Sequence, residues 1–191
     1  MTRIDGARRH ASRLPLIVGL AILALTVGVI PAAADSGGQS AVAGARAATA
    51  RFHDLSAADA AGYSVQVADL AGITCIDSAA GAMGVHYLSP SLVPELFDAT
   101  AAAAVDAATP ELLVYAPGPN GQRLVALEYL TIKAVWDAQH ASAPSLFGRT
   151  FDTTLAGNRY GLPDFYSLHA WIWDPNPTDI FAPYNPRVTC P

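Results

Sequence analysis

The stretch that most restricts how this chain can fold is residues 111–132. Two runs rich in apolar residues, 111–116 and 123–132, flank Pro117-Gly118-Pro119-Asn120-Gly121. Pro and Gly there, and Asn-Gly above all, favour a tight reversal. The expected result is an antiparallel hairpin. Its second arm, Leu124-Val125-Ala126-Leu127-Glu128-Tyr129-Leu130, is apolar on both sides of a single carboxylate. A carboxylate in that setting is costly unless it is paired, hydrogen-bonded, protonated or bound to a metal. Two readings of Glu128 follow. It sits at a sheet rim paired with Arg123 or Lys133, the nearest cations in sequence, or it is a functional carboxylate.

A second strand is expected over residues 166–173, Tyr166-Ser167-Leu168-His169-Ala170-Trp171-Ile172-Trp173. Aromatic and branched residues dominate, and Asp174-Pro175-Asn176-Pro177 breaks it. Side chains alternate faces along a strand. Leu168, Ala170 and Ile172 then share a core face, and His169, Trp171 and Trp173 share the other. A third strand is expected over 85–88 after Gly81-Ala82-Met83-Gly84, whose glycines suggest a tight turn or close backbone approach. It carries His86 and Tyr87.

The remaining segments supply helices. Residues 43–54 are Ala-rich. A short helix should follow, capped by Ser56 with Asp59 three residues on and closed by Gly62. Residues 92–105 and 133–140 are helical in composition. From residue 83 onward the order is β-α-β-β-α-β. That order matches a ferredoxin-like α+β fold, a four-stranded antiparallel sheet with one open face, here with two extra N-terminal helices.

At the start of the chain, Arg3, Arg8, Arg9 and Arg13 precede a charge-free apolar run over 14–30, and Ala32-Ala33-Ala34 precedes Asp35. This is the pattern of a cleaved secretory signal over residues 1–34. The competing reading is an uncleaved membrane anchor, for which the run is near the lower length limit. The expected organisation is a signal over 1–34, a Gly/Ser/Gln-rich flexible lead-in over 35–42, and one α+β domain over 43–191. Cleavage removes four Arg and Asp5, leaving 7 basic against 15 acidic residues, a net of −8. Without a basic cluster to neutralise phosphates, a nucleic-acid partner is set aside. After cleavage no stable membrane span is expected.

Two cysteines, Cys75 and Cys190, form an even pair in a chain expected to be exported, which favours a disulfide over two free thiols. Such a bridge would tie the tail to the start of the domain.

His86, Glu128 and His169 are the candidate site. In the ferredoxin-like order the first strand pairs with both the third and the fourth, so the three residues lie on adjacent strands. Two imidazoles and a carboxylate can form a facial triad for a divalent metal. Without metal, Glu128 would serve as a base with a histidine partner. The plainer alternative is a hydrogen-bonded core histidine in each strand. Tyr87, Tyr129, Trp171 and Trp173 could wall a ligand site, since flat aromatics with polar edges suit sugars and other amphipathic molecules; ordinary core packing is the alternative. No G-x-S-x-G elbow, phosphate loop or H-E-x-x-H is present.

Gly81-Ala82-Met83-Gly84-Val85-His86-Tyr87, Leu127-Glu128-Tyr129, Leu168-His169-Ala170-Trp171-Ile172-Trp173 and Asn185-Pro186-Arg187-Val188-Thr189-Cys190 together give the chain a recognisable signature. With these motifs it resembles a family of uncharacterised exported bacterial proteins, common in actinobacteria. The resemblance covers most of the chain after the leader. It implies export and a shared fold, and no particular reaction. The resulting expectation is a secreted or extracytoplasmic domain that binds a small molecule or a metal on its open sheet face. A metal- or Glu/His-dependent enzyme and a carbohydrate-facing envelope module are the alternatives.

Overall fold

A computed structural model of the protein describes residue 2 and residues 36–100, 104–119 and 121–191. The expected leader, Thr2 apart, and its cleavage site lie outside the described residues. Among the described residues, no helix is long and apolar enough to cross a membrane. In chain order the strands are β1 (Val65–Gln66), β2 (Cys75–Ser78), β3 (Gly81–Leu88), β4 (Leu112–Gly118), β5 (Gly121–Ile132), β6 (Ser145–Leu146), β7 (Arg149–Thr150), β8 (Asp152–Thr154) and β9 (Phe165–Ala170). The helices are α1 (Ser36–Thr49), α2 (Leu55–Ala60), α3 (Val93–Phe97) and α4 (Lys133–Asp137).

The hairpin forms as its turn chemistry requires: β4 and β5 pair antiparallel around the Gly118–Gly121 end. It sits inside a seven-stranded antiparallel sheet of order β1-β3-β4-β5-β9-β8, with β2 also on β3. The sheet is therefore larger than the four strands expected. β3, β4 and β5 are a meander of sequence neighbours, and β9 pairs with β5. The ferredoxin-like order would instead have placed β3 between β5 and β9. The extra strands β1, β2 and β8 are two to four residues long, too short for a period of two to declare them.

Gly84 explains how β3 joins the sheet. Its φ is +98°, and a Cβ there would lie 2.5 Å from the Tyr115 carbonyl oxygen. Only glycine tolerates that dihedral and that approach together. Two residues on, the strand delivers His86.

The helices differ from expectation in their ends. α1 begins at Ser36, so residues 36–42 are helical where Gly, Ser and Gln suggest a flexible lead-in. Asp54, two residues before the expected Ser56, caps α2 by accepting the Ser56 N–H at 2.9 Å. α3 spans only Val93–Phe97, and residues 98–100 and 104–105, expected to be helical, are not.

The two faces of the sheet are filled differently. On one, Leu113, Tyr115, Leu127, Tyr129 and Leu168 pack with Phe52, Tyr63 and Trp136. Phe52 follows α1 and Tyr63 follows α2, so the N-terminal segment covers this face. On the other, Ala82, Val114, Ala126 and Trp171 pack with Val188 of the tail, and Ile132 and Phe165 form a second group. On β5, Glu128 falls between Ala126 and Ile132 and thus between these two groups. Cys75 and Cys190 are bonded, fixing the tail to β2 across 115 residues of sequence. In the chain-entropy model such a loop closure is worth about 4–5 kcal/mol.

Candidate metal centre

Strand alternation and register bring His86, Glu128 and His169 to one face. Glu128 and His169 are directly opposite on β5 and β9. His86 is on β3, with β4 between it and β5. His86 lies opposite Val114, and Val114 opposite Ala126. Strands two apart stand about 9–10 Å from each other. On the intervening β4, Val114 stands opposite His86 and Leu112 opposite Glu128, and the two longer polar side chains reach toward each other across this row.

The three side chains meet. His86 Nε2 lies 3.2 Å from His169 Nε2 and 3.3 Å from Glu128 Oε2. His169 Nδ1 lies 3.7 Å from Glu128 Oε1. One donor atom from each residue falls within 4.8 Å of the others. A cation with bonds of about 2.0–2.2 Å holds adjacent ligands roughly 2.8–3.6 Å apart in tetrahedral or octahedral geometry. The 3.2 and 3.3 Å separations have that spacing.

All three are buried: His86 and His169 are 3% exposed and Glu128 is 8% exposed. Burial pulls both imidazoles down to about 4; for His86, Glu128 opposes this and His169 adds to it. Burial likewise holds the Glu128 carboxyl above its ordinary range, against the pull of His86 and the Ser167 hydroxyl. Among the described residues, no Lys or Arg pairs with it. Arg123 pairs with Asp174 at 2.9 Å, and Lys133 pairs with Asp137. The rim-pair reading of Glu128 is thereby excluded.

One nitrogen carries the chemical argument. His86 Nε2 offers either one N–H or one lone pair. It faces two partners at near-equal distance, an imidazole nitrogen and a carboxylate oxygen. A single proton satisfies one of those contacts fully. A cation shared by all three satisfies both.

The cluster opens onto a cavity of about 220 Å³. His86 and Glu128 line it; most of the rest is apolar, including Leu130, Ile132, Phe165 and Phe97. Tyr160 is its remaining polar side chain. Burial and the nearby Glu128 charge push the Tyr160 phenol up. Sequence reading missed this residue because it sits in a turn, Gly157-Asn158-Arg159-Tyr160-Gly161, with no strand period around it. The turn is built by Asn158, whose Oδ1 accepts the Tyr160 N–H at 3.1 Å and whose Nδ2 donates to the Leu162 carbonyl at 2.8 Å. Arg159 also donates to Asp69 Oδ2 at 2.7 Å, tying the turn to the segment that supplies Val67 and Ala68 to the cavity.

The aromatic residues expected as walls are placed elsewhere. Tyr87 and Tyr129 adjoin His86 and Glu128 in sequence, so they point to the opposite face. Tyr87 packs edge-on against Tyr115, and the Tyr129 hydroxyl donates to the Ala107 carbonyl at 2.8 Å. Trp171 stays on the site face with its ring stacked 6.4 Å from His169. It is fully buried, and its Nε1–H donates to the Ala182 carbonyl. Trp173 leaves that face. β9 ends at Ala170, and an Ile172 N–H to Ala170 carbonyl bond folds the backbone sharply. Alternation stops there, and Trp173 reaches the other core, with its Nε1–H on Thr49 Oγ1 and its ring against His53.

No family model matches the chain, and neither does any curated protein or solved structure.

Proposed function

We propose that this is an exported metal-binding protein in which His86, Glu128 and His169 hold one divalent cation at the inner end of a small-molecule cavity. The observation that carries the reading is the shared position of His86 Nε2, 3.2 Å from one candidate ligand atom and 3.3 Å from another. Burying a carboxylate among apolar side chains with no basic partner is unfavourable, and a cation offsets that cost. Two imidazoles with one carboxylate suit zinc or a non-haem ferrous ion. The disulfide, the leader pattern and the resemblance to exported actinobacterial proteins support export.

An enzymatic role is the second reading. Three protein ligands leave coordination positions free, as in catalytic rather than closed structural sites, and the cavity lies against two of the three ligands. The carbohydrate-facing alternative has less support, since Trp171 and Trp173 pack into separate cores.

Elemental analysis of protein purified without an affinity tag tests the reading. About one equivalent of a transition metal is expected. His169→Ala and Glu128→Gln should each lose it while the disulfide-linked fold survives. Affinity should fall as pH is lowered, because the ligands must be deprotonated to bind. A wild-type protein that takes up no metal even when titrated with zinc or ferrous ion would refute it.

A further inference from the structure

We propose that the cavity beside the metal centre takes a small monocarboxylic acid with an apolar body, its carboxylate completing the coordination of the cation. This rests on the metal reading above. Three observations carry it further. The polar side chains lining the cavity are His86, Glu128 and Tyr160, which favours a ligand polar at one end and apolar elsewhere. Leu88, Leu130, Ile132 and Phe165 offer no hydrogen bond to a second polar group.

Charge sets the head group. A divalent cation with one carboxylate and two neutral imidazoles keeps one positive charge. In a buried, mostly apolar site that charge is best balanced by a monoanion; a neutral head leaves it uncompensated, and a dianion reverses it.

Volume sets the body. An apolar hole of about 150 Å³ accommodates benzene, so a cavity of the present size accommodates roughly nine non-hydrogen atoms. A phenyl ring or a short branched chain fits. Entry is from the side of Ala68 and Phe97, which line the cavity and are exposed, Phe97 by 51%.

Calorimetry on the zinc-loaded, tag-free protein tests this with three probes: phenylacetate, acetate and 2-phenylethanol. Phenylacetate should bind about 100-fold more tightly than acetate, because the ring is buried. It should also bind at least about 10-fold more tightly than the neutral alcohol, through the charge it balances. Leu96→Trp, which fills the cavity from α3, should abolish the advantage over acetate and leave zinc content unchanged. The three-probe comparison in the wild type decides the matter even if that variant does not fold. Phenylacetate no tighter than acetate would refute an apolar pocket for the body. Phenylacetate no tighter than the alcohol would refute carboxylate coordination. Either result leaves the metal centre standing, whereas a protein that takes up no zinc refutes both.

Discussion

The two faces of β4 and β5 are built from alternating residues of the same strands, yet they solve burial in opposite ways. On the face covered by the N-terminal segment, the polar atoms are closed off one by one. Tyr63, Tyr115 and Tyr129 each donate a hydroxyl to a backbone carbonyl, of Pro110, Phe52 and Ala107. On the other face, His86, Glu128 and His169 turn to one another and leave His86 Nε2 shared between two partners. In the first arrangement each of these hydroxyls has its own fixed acceptor. In the second, one nitrogen faces two partners at once, and the proposed cation would serve both.

Substitutions should divide along the same line. The largest stability loss is expected on the first face. Leu127→Ala removes a fully buried side chain and should cost about 2–5 kcal/mol in chemical denaturation, while the folded fraction still binds one metal equivalent. Next is Gly84→Ala, which meets both a positive φ and the Tyr115 carbonyl. It should cost about 2 kcal/mol or more, and it should also weaken metal binding by shifting His86. A Gly84→Ala protein with unchanged metal affinity would show that β3 does not position the site.

The first face also holds a half-buried carboxyl, Glu111, whose Oε2 accepts the Leu130 N–H at 2.9 Å. Burial pushes it up to about 7 from an ordinary 4.5, with the Leu130 bond opposing. Between those values the unfolded chain has released its proton and the folded chain has kept it. Stability therefore falls as pH rises through this window, by up to about 3 kcal/mol. Glu111→Gln keeps an acceptor for Leu130 and should raise stability at pH 8 by about 1–3 kcal/mol, flattening the profile between pH 5 and 8. A profile as steep as that of the wild type would count against it. The smallest effect is expected of Trp173→Phe. It should cost about 1 kcal/mol through its Thr49 bond and packing, with no change in metal content.

Much of the site was legible in the sequence because alternation is a local rule. Leu127-Glu128-Tyr129 already places a carboxylate opposite two core side chains, and Gly84 already announces a close backbone approach. The same rule shows why Tyr87 and Tyr129 face away from their neighbours His86 and Glu128. Strand order was not legible. It depends on which distant segments pair, and the meander brings His86 to Glu128 across β4 rather than along a shared edge. Alternation also fails without warning where a strand ends, as at Ala170, so alternation alone puts Trp173 on the wrong face. Ala99 and Ala104, described outside any helix, carry helix propensity but little apolar surface to dock, and propensity alone does not sustain a helix.

X-ray absorption at the metal edge of the natively purified protein tests the metal centre most directly. Two imidazole nitrogens and one carboxylate oxygen should appear at about 2.0–2.2 Å from the metal, and His169→Ala should remove one imidazole or the metal altogether. A first shell without imidazole, or one unchanged by His169→Ala, would contradict the assignment.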